Sequence, residues 1–240
     1  IEDRYFQNNV IDFDKDKYDK SGYRLFGGSV SFNGSTLNSR QFPIQGAREA
    51  LVAQIFTGNE SFRPGVNSEN KKPVKEKHSW LQLSYMKEKY HKMGANWILG
   101  WYLDAVYASK NFSENYTATM MQASEFAPTA HSKLTYNEAF RANQYVAAGI
   151  RPIYRLNQMF HVRGEFYVFL PIFPIERNSI NKAYYGKAFS RFEYLGEISV
   201  VCQLPFGAIS AYVNHYSSPR REWNVGLTLG WQLFNYRFIE

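Results

Sequence analysis

The chain has 240 residues, of which 18 % are Phe, Trp or Tyr, and its 28 Lys+Arg exceed 21 Asp+Glu to give a net charge of +7. So much apolar surface offsets the entropy of ordering and excludes intrinsic disorder, and no apolar run approaches the roughly 18–20 residues of a membrane helix. A lone Cys202 excludes an internal disulfide framework and a thiolate metal cage, and the 16 glycines are too scattered for a collagen repeat.

Alternation with period two dominates the chain, and the helical period is almost absent. Residues 1–6 read as the end of a strand; Ile1-Glu2-Asp3-Arg4 has neither the charged nor the apolar region of a signal peptide. Residues 23–33, 48–57 and 79–90 follow as strands, the last two separated by a long polar connection over 58–78. The one basic cluster, Lys71-Lys72-Pro73-Val74-Lys75-Glu76-Lys77, lies in that connection, and with the remaining charge scattered it gives no nucleic-acid face. Residues 97–107 alternate cleanly, with Trp97, Leu99, Trp101, Leu103, Ala105 and Tyr107 against Gly100, Tyr102 and Asp104.

A long Asn/Ser/Thr/Pro-rich loop is expected over 112–143, including 116–127, whose composition alone is strand-like. Strands resume over 144–155 and over 160–170, where Phe160, Val162, Phe166, Val168 and Leu170 oppose His161, Arg163, Glu165 and Tyr167. After a polar stretch at 179–188, residues 196–204 set Ile198, Val200, Cys202 and Leu204 against Glu197, Ser199 and Gln203. Residues 207–216 and 223–234 complete nine strands, the last carrying Trp223, Val225, Leu227, Leu229, Trp231 and Leu233 on one face. The connections at 91–94 and 204–207 are tight, whereas 58–78, 112–143 and 179–188 are long, which predicts an antiparallel meander with one plain rim and one elaborate rim.

Which face meets solvent decides the class. A soluble sandwich keeps its apolar face inside and its charges outside. Here the apolar face ends in aromatics, Trp97 and Tyr107 on one strand and Trp223 and Trp231 on another, while the opposite face mixes glycine with Arg163 and Glu165. Interface aromatics on an outward apolar band with a polar interior describe an all-β transmembrane barrel. Strands of about 10 residues, rising ~3.3 Å each and tilted, cross roughly 25 Å of hydrocarbon. Bacterial barrels have even strand numbers. Nine strands therefore imply either a tenth at 116–127 or the C-terminal part of a larger barrel. An aromatic-cored secreted sandwich is the rival reading.

Several segments resemble a known family. Tyr194-Leu195-Gly196-Glu197, Leu204-Pro205-Phe206-Gly207-Ala208-Ile209-Ser210, Asn214-His215-Tyr216 and Leu229-Gly230-Trp231-Gln232-Leu233-Phe234-Asn235-Tyr236-Arg237 are similar to the closing strands of the bacterial surface-antigen barrels, sixteen-stranded relatives of the BamA assembly factor. Residues 33–46, N-G-S-T-L-N-S-R-Q-F-P-I-Q-G, resemble that superfamily's periplasmic N-x-L-x-x-x-x-F-P-x-x-G hairpin. Phe140-Arg141-Ala142-Asn143 stands where its lumen-inserted loop carries a Val-Arg-Gly-Phe-type motif, with Ala142 in place of Gly. Asn115-Tyr116-Thr117-Ala118-Thr119, Phe126-Ala127-Pro128-Thr129 and Lys182-Ala183-Tyr184-Tyr185-Gly186-Lys187 resemble a Bacteroidetes branch in which a patatin-like phospholipase is fused to the barrel. The chain departs from many such barrels by ending on Ile239-Glu240 and not on an aromatic residue.

The resemblance implies that residues 1–240 are the C-terminal barrel domain, the last nine or ten strands of sixteen, in a bacterial outer membrane. It implies that residues 112–143 fold into the lumen, where Arg141 pairs with an inward carboxylate. Alternation offers Glu165 and Asp104 as its partners, a buried guanidinium being costly unless paired. The implied partners are outer-membrane lipids and an N-terminal hydrolase part of the same protein, with homodimer formation left open. A BamA-like assembly or translocation factor and a simple pore are the alternatives. No catalytic, metal or cofactor site is expected within the chain. Gly27-Gly28-Ser29-Val30-Ser31 lacks the closing Gly of a G-x-S-x-G elbow and falls in a strand, and the five His show no metal-ligand spacing. His161 is expected among polar neighbours on the inner face, and Cys202 among lipid-facing residues.

Overall fold

A computed structural model describes residues 2–6, 18–66, 68, 72–218 and 223–231. The strands run β1 (Glu2–Tyr5), β2 (Asp19–Ser35), β3 (Gly46–Arg63), β4 (Val74–Lys92), β5 (Trp97–Ala108), β6 (Ser124–Glu125), β7 (Arg141–Ala142), β8 (Gln144–Arg155), β9 (Phe160–Pro171), β10 (Ile175–Arg177), β11 (Ala183–Tyr185), β12 (Glu193–Leu204), β13 (Gly207–Tyr216) and β14 (Trp223–Trp231). Ten of them form one antiparallel meander in the order β1-β2-β3-β4-β5-β8-β9-β12-β13-β14, and β6/β7 and β10/β11 are separate two-stranded pairs. The all-β reading holds, and β1 supplies the tenth strand. β1 and β14 are the two edges of the sheet, so it is open among the described residues and not closed on itself.

Three expectations need correction. Strands β2 to β4 are longer than the alternation of apolar residues suggested, and the polar connection at 58–78 shrinks to residues 64–73. Its flanks pair as ladder, Gly58 opposite His78 and Glu60 opposite Glu76, because polar side chains also suit a strand whose faces leave the apolar band. Residues 116–127 are not simple loop but carry a helix, α1 (Tyr116–Gln122), started by Asn115, whose side chain accepts from Ala118 N at 2.8 Å. The stretch at 179–188 contains half of the β10/β11 hairpin. Residues 232–234 of the expected last strand, with Leu233, lie outside the described residues, as do Ile239-Glu240.

The two faces of the sheet have inverted polarity relative to a soluble protein. Exposed residues include Phe26, Ile55, Ile150, Ile198 and Trp223, and Phe26 and Leu227 are 81 % and 80 % exposed. The opposite face buries charge: Arg163 is 2 % exposed and Glu165 is buried beside it. An apolar core also lies on this face. Val106, Tyr145, Ala147, Tyr167, Phe169, Leu195 and Tyr216 from five strands enclose Phe126, Ala139, Phe140 and Ala142 from the long loop. Phe126 stacks on Phe169 with ring centroids 5.7 Å apart, and Phe140 meets Tyr216 edge-on at the same distance.

Candidate functional site

The long loop of residues 109–143 is held against the charged face at several points. Phe126 N donates to Phe140 O, and β6 pairs with β7 to close the loop on itself. Tyr145 Oη donates to Glu125 O at 3.3 Å, His131 Nδ1 lies 2.8 Å from Tyr216 Oη, and Asn137 Nδ2 donates to Ser218 O at 2.9 Å. Desolvation on this face holds the His131 pKa below the usual histidine range. Helix α1 packs through Met120 and Ala123 on Ile175, joining the loop to the β10/β11 hairpin.

Beneath the loop lies a network of two guanidiniums and two carboxylates. Arg163 Nε donates to Glu165, Arg151 Nη1 donates to Glu88, and Tyr167 Oη donates to Glu165 while accepting from Arg151 Nε at 2.6 Å. Tyr90 Oη accepts from Arg151 at 2.6 Å and from Arg163 at 2.9 Å and donates to Glu88 at 3.1 Å. The Arg151 guanidinium also lies 4.7 Å from the Tyr102 ring centroid. Each buried charge therefore meets an opposite one and a set of hydrogen bonds, the condition under which burial is tolerated.

Glycine makes the space. A methyl group on Gly149 would overlap the Tyr167 ring, and one on Gly100 would lie 2.6 Å from Tyr90 Cε1. Both tyrosines thus lie flat over neighbouring strands with their hydroxyls turned to the arginines.

The β2–β3 connection, residues 36–45, folds across the same face. Asn38 Oδ1 accepts from Ile44 N and Gln45 N, both at 3.0 Å, which closes the connection. Leu37 and Ile44 pack on Tyr90, Ile98 and Ile153, and Arg163 Nη1 donates to Pro43 O at 2.8 Å. Phe42 adopts φ 49°, a left-handed conformation unfavourable for a bulky residue, at the turn that presents Pro43. Between this connection and residues 127–134 remains a cavity of about 440 Å³ lined by Glu88, Arg151, Arg163, Glu165 and Glu197 among others.

Arg141 requires correction. It pairs with neither Glu165 nor Asp104. Its Nη2 donates to Glu125 at 2.8 Å, and its Nη1 donates to the carbonyls of Met121 (3.2 Å) and Ala123 (3.3 Å) at the end of α1. The loop supplies its own acid and helix C-terminus within one turn of chain, nearer than any carboxylate of the sheet. Glu165 is taken by Arg163 and Tyr167, and Asp104 accepts from Tyr102 Oη at 3.1 Å. Glu88, Tyr90 and Arg151 were not foreseen as members of the network, because their meeting depends on cross-strand register.

Trp97, Tyr107 and Trp223 lie on the exposed face at 55 %, 46 % and 72 % exposure. Trp231 occupies the strand position opposite Gly207, and its side chain lies outside the described residues. Cys202 is half-buried on the exposed face, between Phe160 and Ile209 in register. His161 is buried on the charged face with Nε2 unpartnered.

One further group was not legible from spacing. Glu60, Glu76 and His78 bring ligand atoms within 4.8 Å of one another across β3 and β4, the kind of donor set that holds a divalent cation. Glu60 is already engaged, with His78 Nε2 at 2.8 Å from one oxygen and Tyr23 Oη donating to the other at 3.2 Å.

Compared with known proteins, the chain matches no family model, no curated protein and no solved structure.

Proposed function

We propose that this chain is the membrane-spanning β-barrel part of a bacterial outer-membrane protein, the last ten strands of a sixteen-stranded antiparallel barrel. The reading is carried by one observation: the apolar face of the sheet is the exposed one, and the face with paired arginines and glutamates is buried. In water that arrangement is unfavourable, since each ~100 Å² of exposed apolar surface forfeits about 2.5 kcal/mol. In a bilayer it is the stable one, because hydrocarbon solvates the apolar face and a closed ladder satisfies the backbone. Closure then joins β1 and β14 through further strands. The charged face becomes the lumen, and the loop at 109–143 with the connection at 36–45 fills it. A filled lumen favours an anchor over an open diffusion pore.

On this reading, supported further by the resemblance of the quoted segments, the barrel holds a patatin-like lipid acyl hydrolase at the membrane, its catalytic residues lying outside these 240. Outer-membrane lipids are its surroundings and its substrates. The full gene product is expected to sediment with the outer membrane and to release fatty acid from a short-chain phosphatidylcholine. Removing residues 1–240 is expected to move that activity to the soluble fraction. A full-length product without acyl-hydrolase activity would overturn the anchoring role.

A further inference from the structure

The exposed face changes character sharply near the long-loop rim. Residues directly opposed in a ladder share a face. Row by row toward that rim, Val30–Ala53–Leu83 and Gly28–Ile55–Leu81 are apolar, and Phe26–Thr57–Ser79 adds two hydroxyls 2.8 Å apart. Then Arg24–Asn59–Lys77, Gly22–Ser61–Lys75 and Lys20–Arg63 are basic. Lys20 is paired with Glu2 at 2.8 Å. Arg24, Arg63, Lys75 and Lys77 are exposed and, among the described residues, have no side-chain partner. At the other end of the same strands, Lys87 is neutralised by Glu49 at 3.2 Å.

Two grooves meet at this boundary. One, of about 730 Å³, is lined by Arg24, Phe26, Thr57, Asn59 and Lys77 with Tyr23. The other, of about 480 Å³, runs beneath it along Phe26, Gly28, Ile55, Thr57 and Leu81. Nothing lies within 4 Å of where a Gly28 side chain would stand, so the lower groove has an open floor. Arg24 and Lys77 lie two strand spacings apart, about 9.6 Å, on either side of Asn59. Their long side chains flank the space above it.

We propose that this corner is a binding site for an anionic, phosphate-bearing lipid. The phosphate sits between Arg24 and Lys77 over Asn59, and one acyl chain lies along Gly28, Ile55 and Leu81. Charge complementarity selects the phosphate, and the unbroken passage from charged to apolar groove selects a lipid over a peptide or a nucleic acid. The site rests on the membrane reading above and places the basic rows at headgroup level on the long-loop side.

The test uses the full chain, delipidated in detergent, with bound lipid counted by native mass spectrometry during titration with phosphatidylglycerol. Wild type is expected to retain this lipid roughly thirty-fold better than R24Q/K77Q, about fivefold for each cation lost near an anionic headgroup. G28F, which fills the lower groove and leaves the charge intact, is also expected to lose it; K89Q, exposed at the other end of β4 opposite Ala47, is not. Phosphatidylcholine is expected to bind weakly, and inorganic phosphate to displace nothing. Equal retention by wild type and R24Q/K77Q overturns the site. So does an equal loss in K89Q, or full displacement by inorganic phosphate, which would make it a plain anion site. Flotation of the same preparations with liposomes separates the two levels. Wild type that fails to float contradicts the membrane reading itself, whereas wild type that floats with unaltered lipid retention in R24Q/K77Q contradicts the lipid site alone.

Discussion

Arg163 is among the most deeply buried charges of the sheet, and its partners determine what its loss would do. Replacing it with Met leaves Glu165 without its closest cation, and breaking such a pair costs about 3–5 kcal/mol. R163M is therefore expected to lower the temperature at which the protein loses its β-sheet circular-dichroism signal. R163M/E165L, which removes both charges, is expected to recover much of the loss. A double variant as unstable as the single would mean the pair itself is not what R163M disrupts. Strand alternation made the inward direction of Arg163 and Glu165 legible in the sequence. It could not show Glu88, Tyr90 and Arg151 joining them, because that requires β4, β5, β8 and β9 in register and the space left by Gly100 and Gly149. Arg141 shows the opposite failure. Its burial was foreseen, but a local acid, Glu125, outcompeted the distant ones.

At the scale of elements, the long loop behaves as a folded unit fixed by Phe126, Phe140 and Arg141. F126A deletes a ring buried among Tyr145, Tyr167 and Phe169, a change that costs about 3–5 kcal/mol in a packed core. Trypsin is expected to cleave after Lys133 many times faster in F126A than in wild type, and an unchanged rate would show that the loop is not held by this ring. Just past the end of β5, burial pushes the Lys110 pKa down to about 8 against the upward pull of Glu60 and Asp3. Since the folded protein disfavours the charged amine, the unfolded chain binds more protons between about pH 8 and 10.5. Stability of the docked loop therefore rises with pH across that window and is lowest below it. Protease resistance of the loop is expected to increase from pH 7.5 to 10 in wild type and to stay flat in K110M, which removes the titrating ammonium held 4.7 Å from the Trp80 ring centroid. Strand positions were readable here because alternation is local. Helix α1 was hidden because it is only seven residues long and opens on Tyr and Thr of weak helical preference, with Asn115 its one signal.

At the scale of the whole molecule, the order of strands and the short and long rims follow from the lengths of the connections, and the polarity of the faces from period-two alternation. Closure does not. Among the described residues, two open edges at β1 and β14 and an exposed apolar face pose one physical question, what covers that face. On the proposed reading a bilayer covers it, and site-directed spin labelling of β14 asks the question most directly. With Cys202 changed to Ser, nitroxides are placed singly at residues 223 to 229 of the full chain in liposomes. The lipid account predicts that 223, 225, 227 and 229 collide with dissolved oxygen and are shielded from a water-soluble nickel chelate, with 224, 226 and 228 showing the reverse. Equal access of the chelate to both sets would contradict it.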